Sequence, residues 1–449
     1  MGDLAKIFKA YDVRGVVPDE FDEPIAEAVG AAFVEVTGAA SVVVAHDMRE
    51  SSPVLAEAFI RGARSRSADV VHAGLGSTDL LYYASGSLGL PGVMFTASHN
   101  PARYNGMKMC RSGAVPIGGD TGLIEIRDRA AELVGTIAAP GGSLIEKDLL
   151  TGYADYLRTL VDLRGIRPLK VVVDAGNGMG GYTVPAVFDG LPIELTPLYF
   201  ELDGNFPNHD ANPLEPQNLV DLQRAVIETG ADLGLAFDGD ADRCWVIDER
   251  GRSVPPSAVT ALVAVRELAK YSGATIIHNL ITSLGVPEIV REHGGVPVRT
   301  RVGHSFIKAE MARTGAVFGG EHSAHYYFRD FWFADSGMLA AMHVLAALGE
   351  QEQVLSEVVS AYSRYHASGE VNSAVSDQAR AVRQVKDAFA GRGEFDELDG
   401  LTVSGSGWWF NLRASNTEPL LRLNAEAGDE GKMTAIRDEV LAIVGKVSE

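Results

Sequence analysis

The sequence predicts three similar α/β domains followed by a smaller C-terminal α+β domain. A chain of 449 residues corresponds to roughly three domains, since a single hydrophobic core rarely grows so large. Three segments repeat one pattern of a buried strand, a turn rich in glycine or serine, and a helix that begins near a proline. The C-terminal stretch shows a different pattern, in which antiparallel strands precede one amphipathic helix.

The repeated segments are predicted to be central strands of the three α/β domains. Continuous runs of valine and isoleucine are typical of strands that helices cover on both faces. The first run is SVVVAHD, and a helix follows it from about Pro53. The other runs are residues 170–181, before a helix from about Pro185, and residues 274–285, before a helix from about Pro287.

The second run also matches the spacing of a dinucleotide-binding loop, because Gly176, Gly178 and Gly181 follow a strand. That strand ends in Asp174, and Tyr-Thr-Val-Pro follows the glycines in place of a clean helix start. We therefore interpret the glycines as a tight turn between two elements.

The C-terminal stretch predicts the smaller domain. LTVSGSGWWFNLRAS and LLRLNAEAG have the pattern of antiparallel strands around an NTEP loop, and EGKMTAIRDEVLAIVGKV that of an amphipathic helix. The predicted domains are residues 1–148, 149–252, 253–366 and 367–449.

Composition and charge exclude several classes of protein. Neither a signal peptide nor an apolar run of about 20 residues is present, so we expect no membrane span. The net charge of −21 argues against nucleic acid and anionic membranes as partners, because both require a basic face. Only Cys110 and Cys244 occur, which favours a reducing cytoplasm and gives no cysteine metal site.

The motif DGDADR indicates a site for a hard cation. Asp238, Asp240 and Asp242 alternate with small residues, so the chain can curl and bring three carboxylates together. An EF-hand loop is the alternative, but its sixth position would be Arg243 rather than glycine, and the flanks LGLAF and WVID look like strands. Few protein ligands with open coordination suit Mg²⁺, which leaves room for a phosphate oxygen.

The motif TASHNP places Ser98 beside His99 where a strand gives way to a loop. A hydrolase nucleophile, a helix cap and a phosphate carrier are the three alternatives. Adjacent side chains rarely point the same way, and no G-x-S-x-G motif is present, which argues against the hydrolase. The turn at Asn100-Pro101 would hold Ser98 rigidly. In YNGMK, Lys108 comes within reach of the same neighbourhood.

The motifs RVGHSFIK and GGEHSAHYYF form a third cluster. His304 lies at a glycine turn that opens a helix. Glu321, Ser323 and His325 alternate, and an extended chain would put all three on one face. A carboxylate, a hydroxyl and an imidazole on one face suit the hydroxyl groups of a sugar, while purely structural roles are the alternative.

The motif RASNTEP forms a fourth cluster in the last domain. A guanidinium fork, hydroxyls and backbone N–H groups around a turn suit a dianion, while an ordinary polar hairpin is the alternative. The candidate residues are Arg413, Ser415, Asn416, Thr417 and Arg422.

With these clusters in this order, the chain resembles the α-D-phosphohexomutase family, and most closely its bacterial phosphomannomutase/phosphoglucomutase branch. The resemblance covers essentially the whole chain and rests on KAYDVRG, TASHNP, YNGMK, DGDADR, VGHSFIK, GEHSAH and RASNTEP. It implies a heart-shaped fold of four domains around a central cleft, with one loop from each domain.

The resemblance also implies roles for individual residues. Ser98 would be a phosphoserine, and its phosphate would bind Mg²⁺ together with Asp238, Asp240 and Asp242. The residues implied around the transferred phosphoryl group are Arg14, His99, Lys108 and Arg243. Those implied around the sugar are Tyr11, His304, Glu321, Ser323 and His325, and those around the distant phosphate are Arg413, Ser415, Asn416, Thr417 and Arg422.

The implied reaction interconverts hexose 6-phosphate and hexose 1-phosphate through the phosphoserine and a hexose 1,6-bisphosphate. Mannose phosphate is the favoured substrate and glucose phosphate a further one; a phosphoglucosamine mutase and a metal-dependent sugar phosphatase are the alternatives. Lys108 and His325 are both candidates for the general base. We expect a cytoplasmic monomer or homodimer that uses Mg²⁺ and hexose 1,6-bisphosphate.

The chain departs from the family pattern GE-x-SGH at two positions. Ala324 replaces the glycine, and His322 stands where relatives carry Met, Tyr, Phe or Gln. The turn NLITS also lacks a lysine that some relatives place there. These differences bear on sugar preference rather than on the reaction.

Overall fold

The structure is a computed structural model that describes residues 4–415 and 420–448, apart from the side chains of His304, Val447 and Ser448. Its described residues form four β-sheets, each made by a successive stretch of chain. The domain boundaries given above stay predictions.

The first sheet has seven strands in the order β1-β5-β4-β2-β3-β7, with β6 beside β5. These strands are β1 (Val13–Val16), β2 (Ser41–His46), β3 (Asp69–Leu75), β4 (Gly92–Phe95), β5 (Tyr104–Arg111), β6 (Val115–Pro116) and β7 (Leu144–Glu146). The helices of this stretch are α1 (Leu4–Ile7), α2 (Glu23–Thr37), α3 (Ser52–Arg64), α4 (Thr78–Leu88) and α5 (Leu123–Leu133).

The second sheet has the order β12-β11-β10-β8-β9. Its strands are β8 (Leu169–Asp174), β9 (Ile193–Leu198), β10 (Leu233–Phe237), β11 (Cys244–Asp248) and β12 (Ser253–Val254). Its helices are α6 (Leu150–Leu160), α7 (Gly180–Phe188) and α8 (Val220–Thr229).

The third sheet has the order β14-β13-β15-β16-β17. Its strands are β13 (Thr275–Asn279), β14 (Val296–Thr300), β15 (Phe318–Gly320), β16 (Tyr326–Phe328) and β17 (Ala334–Asp335). Its helices are α9 (Pro256–Lys270), α10 (Gly285–Glu292), α11 (His304–Thr314), α12 (Gly337–Gly349) and α13 (Leu355–Ser360).

The fourth sheet is antiparallel throughout, in the order β18-β22-β21-β20-β19. Its strands are β18 (His366–Ala374), β19 (Glu394–Asp396), β20 (Leu401–Gly405), β21 (Trp408–Ala414) and β22 (Leu420–Ala427). Two helices, α14 (Gln378–Ala388) and α15 (Glu430–Ser448), accompany it. The antiparallel strands and the final helix confirm the predicted α+β domain.

The first three sheets share one motif of three parallel strands followed by an antiparallel strand. The motif is β3-β2-β4-β5 in the first sheet, β9-β8-β10-β11 in the second and β14-β13-β15-β16 in the third. In each case a loop joins the last parallel strand to the antiparallel one. These loops are residues 96–103, 238–243 and 321–325, so the repeat brings three of the predicted site loops to equivalent positions.

Among the described residues, the largest hydrophobic cluster spans three domains, while a second lies wholly within the first domain and a third wholly within the fourth. One continuous cluster contains Val43 of the first sheet, Val172 of the second and Ile276 of the third. The fourth domain has a core of its own. Trp409 packs on Leu280 and its neighbour in the third domain, which forms a small separate contact. The first three domains are therefore packed together more extensively than the fourth is packed on them.

The helix after the second repeated strand differs from its prediction. Helices α3 and α10 begin close to the predicted prolines, but α7 begins at Gly180 and contains Pro185 in its interior, so the predicted start is wrong. The glycines are used for close packing: a Cβ on Gly178 would lie 2.7 Å from the carbonyl oxygen of Gly239. This turn therefore packs on the DGDADR loop.

No helix among the described residues is both long enough and apolar enough to span a bilayer.

Candidate active site

Ser98 lies on the loop between β4 and β5, where its side chain is almost completely buried. Its φ of 51° is in the left-handed region, which costs a non-glycine residue roughly 1–2 kcal/mol. The Ser98 hydroxyl donates to Asp238 Oδ2 over 2.9 Å and lies 3.1 Å from His99 Nδ1. The strained conformation therefore directs the hydroxyl at the carboxylates of the second domain.

The backbone of this loop is held by Arg49, a residue that was not selected from the sequence. Arg49 is 1% exposed and pairs with the buried Asp47, with 3.3 Å between Nε and Oδ2. Its guanidinium donates over 2.7–3.0 Å to the carbonyl oxygens of Ser98, Asn100, Pro101 and Tyr104. Arg49 follows β2, which lies beside β4 in the sheet. The motif HDMR is visible in the sequence, but the sequence does not show that Arg49 lies beside the Ser98 loop, because this depends on the strand order.

Arg14 contacts the same loop from β1. Its Nη1 donates to Asn100 Oδ1 and its Nη2 to Asp12 Oδ2, both over 2.5 Å. The predicted residue is therefore close to Ser98 in the fold.

Asp238, Asp240 and Asp242 converge, as the motif DGDADR predicted. Oxygens from the three carboxylates lie within 4.8 Å of one another, and each side chain is at most 1% exposed. Lys108 donates to Asp240 Oδ2 over 2.7 Å and to Asp242 Oδ2 over 2.5 Å, and Arg243 Nε donates to Asp238 Oδ2 over 2.8 Å. The cluster thus holds three acidic and two basic groups.

Two carboxylate oxygens of this cluster are left over. Within the described part of the chain, Oδ1 of Asp240 and Oδ1 of Asp242 have no hydrogen-bond partner. Buried carboxylate oxygens are normally paired or bind a cation. Both the charge and the free oxygens fit one additional hard cation.

Two contacts press the DGDADR loop against the first domain. A Cβ on Gly239 would lie 2.4 Å from the carbonyl oxygen of Ser98, so only glycine permits this approach. Thr78, the first residue of α4, donates from its hydroxyl to Asp240 Oδ2 over 2.6 Å. The position of the carboxylates is therefore set by packing between domains.

The crowded charges shift the pKa values of their neighbours. Burial raises the pKa of Asp238 to about 7, although Arg243 opposes the shift. Burial acts in the same direction on Asp240, but the ammonium group of Lys108 holds the pKa of this carboxyl below its usual range. Burial lowers the pKa of Lys108, yet the Asp240 and Asp242 carboxylates outweigh it and raise that pKa above the usual value. Lys108 is therefore a cation.

His99 is unsuited to activating Ser98. Burial, together with Arg243 and Arg14, holds the pKa of His99 well below its ordinary value, so the imidazole is neutral. Its Nδ1 lies 2.7 Å from Nη2 of Arg243 and accepts that hydrogen bond. This geometry argues against a hydrolase pair of Ser98 and His99, as the sequence did.

Residues 321–325 form a turn, so the extended conformation expected from their alternation is wrong. The N–H of Glu321 donates to the carbonyl of His325 over 3.0 Å, that of Ala324 donates to Glu321 over 3.2 Å, and Ala324 has a φ of 62°. Ser323 Oγ lies 3.3 Å from His325 Nδ1, and His325 Nε2 lies 3.8 Å from Asp242 Oδ1. The turn therefore brings His325 to the aspartate cluster.

Glu321 points into the third domain. Its carboxylate accepts hydrogen bonds from Asn279 Nδ2 over 3.1 Å and from the Tyr327 hydroxyl over 2.5 Å. Its side chain is 2% exposed. The Glu321 carboxylate is therefore hydrogen-bonded within the third domain.

A second acidic group adjoins the first and was missed in the sequence. Ligand atoms of Asp242, His325 and Asp335 also lie within 4.8 Å of one another. Here the cations are already present, because Lys308 Nζ lies 2.6 Å from Asp335 Oδ1 and Lys108 donates to Asp242. We interpret this set as a charge network rather than a metal site. Lys308 belongs to the motif VGHSFIK, but nothing in the sequence indicated its partner.

The fourth cluster faces a cleft of about 580 Å³, which is in the size range of small-molecule sites. Predicted residues that line it are Tyr11, Ser323, Arg413, Ser415 and Arg422. Tyr11 also lines a smaller cavity with Lys108, Asp242 and His325. The cleft lined by the guanidinium groups and the cavity lined by Asp242 therefore share Tyr11 as a lining residue.

Three predicted residues have limited or no description. Asn416 and Thr417 lie outside the described residues. His304 is the first residue of α11, after Gly303 at a φ of 132°, as the glycine turn predicted; its side chain is not among those described.

The chain matches four family models in succession. They are the phosphoglucomutase/phosphomannomutase α/β/α domains I (residues 5–133), II (151–251) and III (255–365), and the C-terminal domain (370–443).

Relatives are similar over nearly the whole chain. "Phosphohexose mutases" of Xanthomonas campestris pv. campestris (strain ATCC 33913) is 40% identical over 438 residues, which covers 97% of this chain and 98% of the relative. A phosphomannomutase of Salmonella typhimurium strain LT2 is 40% identical over 450 residues and covers 98% and 99%. A solved phosphoglucomutase/phosphomannomutase family protein of Burkholderia thailandensis has a TM-score of 0.90 at 32% identity, covering 100% of this chain and 98% of that chain.

Proposed function

The chain belongs to the phosphoglucomutase/phosphomannomutase family and is a phosphohexomutase, and from this premise we propose that it interconverts mannose 6-phosphate and mannose 1-phosphate. Glucose phosphates are the second proposed substrates. The choice of mannose is supported by relatives named phosphomannomutase at 40% identity over nearly the full length. We also propose that the protein works in the cytoplasm as a monomer or homodimer.

One observation carries the mechanism. The Ser98 hydroxyl lies 2.9 Å from Asp238 Oδ2 within the aspartate cluster, and the cleft with Arg413 shares Tyr11 with a smaller cavity that Asp242 lines. One end of a sugar phosphate can therefore react at Ser98 while its other end is held by guanidinium groups. Phosphoryl transfer requires chiefly this positioning and the neutralisation of charge.

In the proposed reaction, Ser98 carries a phosphoryl group. The bond between phosphorus and the serine oxygen breaks as a bond forms to the free hydroxyl oxygen of the hexose phosphate, which yields a hexose 1,6-bisphosphate. The bisphosphate turns end for end, and its other phosphoryl group returns to Ser98. The cations that we propose to stabilise the transferred group are Arg14, Lys108 and Arg243, and His99 accepts a hydrogen bond from Arg243.

The leftover oxygens of Asp240 and Asp242, with Asp238, are the groups that would hold Mg²⁺ beside a phosphate oxygen on Ser98. When bound, the ion would neutralise charge on the phosphoryl group. Removal of divalent cations with EDTA is expected to abolish turnover, and added Mg²⁺ to restore it.

His325 is our choice for the general base. Lys108 was the other candidate, but its ammonium group donates to two carboxylates and its pKa is raised by them. The His325 imidazole is partly exposed, at 21%, and lies 3.8 Å from Asp242. It would take the proton of the sugar hydroxyl during the transfer.

Sugar and phosphate contacts follow from the cleft lining. Tyr11 and Ser323 are proposed to contact the sugar, while Arg413, Ser415 and Arg422 hold the phosphate that does not react. Glu321 would reach the sugar only with the lone pairs that Asn279 and Tyr327 leave. Because the fourth domain has its own core, we propose that it closes over the cleft and excludes water, which prevents hydrolysis.

The test is a coupled assay with mannose, glucose and glucosamine 1-phosphates, each with a trace of the sugar bisphosphate. Formation of mannose 6-phosphate at the highest kcat/KM is expected. Release of inorganic phosphate without the 6-phosphate would replace the proposal by a sugar phosphatase. A preference for glucosamine 1-phosphate would replace it by a phosphoglucosamine mutase.

A further inference from the structure

A glutamate of the fourth domain lies between the two guanidinium groups of the cleft. Arg413 Nη2 donates to Glu370 Oε2 over 2.9 Å, and Arg422 Nη1 lies 3.2 Å from Glu370 Oε1. Arg413 and Arg422 are directly opposite each other on β21 and β22, where like charges destabilise a sheet. One carboxylate thus bridges two cations that the strand register brings together.

The N–H groups that bind Glu370 are those that a phosphate requires. Carboxylates and phosphates both accept strong, charge-assisted hydrogen bonds from guanidinium groups. Arg413 is 6% exposed, so it has little access to water as a replacement partner. A phosphate that enters this end of the cleft must therefore displace Glu370 or bind beside a like charge.

The strand register provides a second position for the Glu370 side chain. Asn424 on β22 is its direct cross-strand neighbour. Asn424 is 7% exposed, and its Nδ2 has no acceptor within residues 4–415 and 420–448. A buried donor without an acceptor is destabilising, because it has lost its hydrogen bonds to water and gained none in return. A carboxylate that leaves the guanidinium groups would therefore gain a partner at Asn424.

There is space for this movement. A cavity of about 290 Å³ lies next to the cleft, and Glu370 lines both of them. Asn424 and His322 also line the cavity. Its volume exceeds what one carboxylate needs, so the side chain can turn without displacing the strand.

His322 does not compete for Glu370. Its Nε2 lies 4.0 Å from Glu370 Oε2, beyond hydrogen-bond distance. Burial, Arg413 and Arg422 lower the pKa of His322 to about 3, so its imidazole is neutral near pH 7. Glu370 is left to the two guanidinium groups and to Asn424.

We propose that Glu370 is a positioning residue that competes with the substrate phosphate for Arg413 and Arg422, and that it moves to Asn424 when the phosphate binds. This inference rests on the proposed function, because it concerns the phosphate that does not react. Two guanidinium groups without a competing anion would hold a phosphate tightly and release it slowly. Since the bisphosphate has to leave them in order to turn, the competition favours turnover at the expense of affinity.

The first test is Glu370→Gln in the full chain. Its Kd for mannose 1-phosphate, and for inorganic phosphate as a second probe, is measured by calorimetry. We expect Kd to fall about tenfold, because one charge-assisted pair no longer competes. We expect kcat and KM to fall together, since release becomes slower; a merely structural role would not tighten binding. Glu394→Gln removes an exposed charge of the same domain and is the matched control.

The second test examines the proposed position at Asn424. Asn424→Ala is expected to raise Kd about threefold, opposite to Glu370→Gln, because the displaced carboxylate loses a hydrogen bond. In the double variant, Asn424→Ala is expected to have no further effect, because the residue that moves is already changed. Glu370→Asp keeps the charge and is expected to restore a Kd close to that of the unmodified protein.

Unchanged or weaker phosphate binding in Glu370→Gln, or additive effects in the double variant, would overturn the inference. Should Glu370→Gln fail to fold, the threefold rise in Kd expected of Asn424→Ala and the unchanged Kd expected of Glu370→Asp decide the matter, and an unchanged Kd in Asn424→Ala would then overturn the inference. Binding is measured without turnover. A tenfold shift in Kd without mutase activity would therefore overturn the proposed function and leave the role of Glu370 intact.

Discussion

The two charged ends of the cleft are built in different ways. At the Ser98 end, loops of three domains meet above one continuous core, and the three aspartates are at most 1% exposed. At the Arg413 end, one antiparallel sheet with its own core supplies the charges, and Arg422 and Glu370 are 26% and 22% exposed. The difference indicates that the Ser98 end, where we propose the phosphoryl transfer, is fixed by packing between domains. The Arg413 end, where we propose that the second phosphate binds and is released, is on a domain that has its own core.

A buried junction joins the three domains that meet at the Ser98 end. Asp79 on α4 accepts hydrogen bonds from Ser77 over 2.5 Å and from Tyr153 on α6 and Ser336 before α12, both over 2.7 Å. Three domains therefore share one carboxylate. The third and fourth domains are joined by the small Trp409 cluster and by single polar contacts, such as the N–H of Val302 donating to Asp399 Oδ2 over 3.1 Å.

The largest expected effect on activity is at the Ser98 end of the cleft. Ser98→Ala removes the proposed carrier oxygen and is expected to lower mutase activity by at least about a thousandfold, with little change in folding. Activity is measured with mannose 1-phosphate and bisphosphate, and folding by circular dichroism. Ser112→Ala, an exposed serine of the same domain, is the control. Near-normal activity of Ser98→Ala would refute the proposed phosphoserine. It would also remove the reason for distinguishing the Ser98 end of the cleft from the Arg413 end.

The next largest effect is expected at Arg49, which holds the backbone of the Ser98 loop. Arg49→Ala is expected to lower kcat about a hundredfold and the free energy of unfolding by about 3 kcal/mol, because Asp47 stays buried without its partner and four carbonyl oxygens lose a donor. Urea unfolding and steady-state kinetics measure the two quantities. Arg49→Lys keeps the charge but not the fork, so an intermediate result is expected. A normal kcat in Arg49→Ala would show that the loop keeps its shape without this residue.

At the Arg413 end a smaller and different effect is expected. Arg413→Ala should raise KM for mannose 1-phosphate by roughly 10–100-fold and change kcat less, because it removes binding at a distance from the bond that breaks. Arg383→Ala, an exposed arginine of the same domain, should leave both constants unchanged. An unchanged KM in Arg413→Ala would remove this residue from the phosphate site.

The smallest effect on activity is expected from a change of Asp79 at the buried junction between the domains, where the free energy of unfolding is affected instead. Burial raises the pKa of Asp79 from 3.8 to about 6. Between about pH 4 and 6, the folded protein therefore binds this proton more tightly than the unfolded chain, and the free energy of unfolding falls as the pH rises. Over that window the loss from Asp79 is about 3 kcal/mol. Asp79→Asn should flatten the pH dependence of unfolding in urea; an identical slope in both proteins would contradict the raised pKa.

Short motifs predicted most of the candidate site because their geometry is local. Three carboxylates within five residues can converge wherever the loop is placed, and the DGDADR motif did predict such a cluster. The valine-rich strands and the antiparallel pattern of the C-terminal stretch likewise predicted the four sheets. Local patterns failed where packing decided the conformation. Residues 321–325 form a turn instead of an extended strand, and α7 begins at Gly180 because glycines there allow close contact with neighbouring backbone.

The sequence by itself determined which chemical groups are available and which domain carries each of them. Only the tertiary structure decided the partners: Arg49 for the Ser98 loop, Lys308 for Asp335, and Glu370 for Arg413. The physical reason is that such contacts depend on strand order and on how separate cores pack. Strand order and core packing are not encoded in the few residues around a side chain. The spacing of a motif is encoded there, so it can be recognised in the sequence.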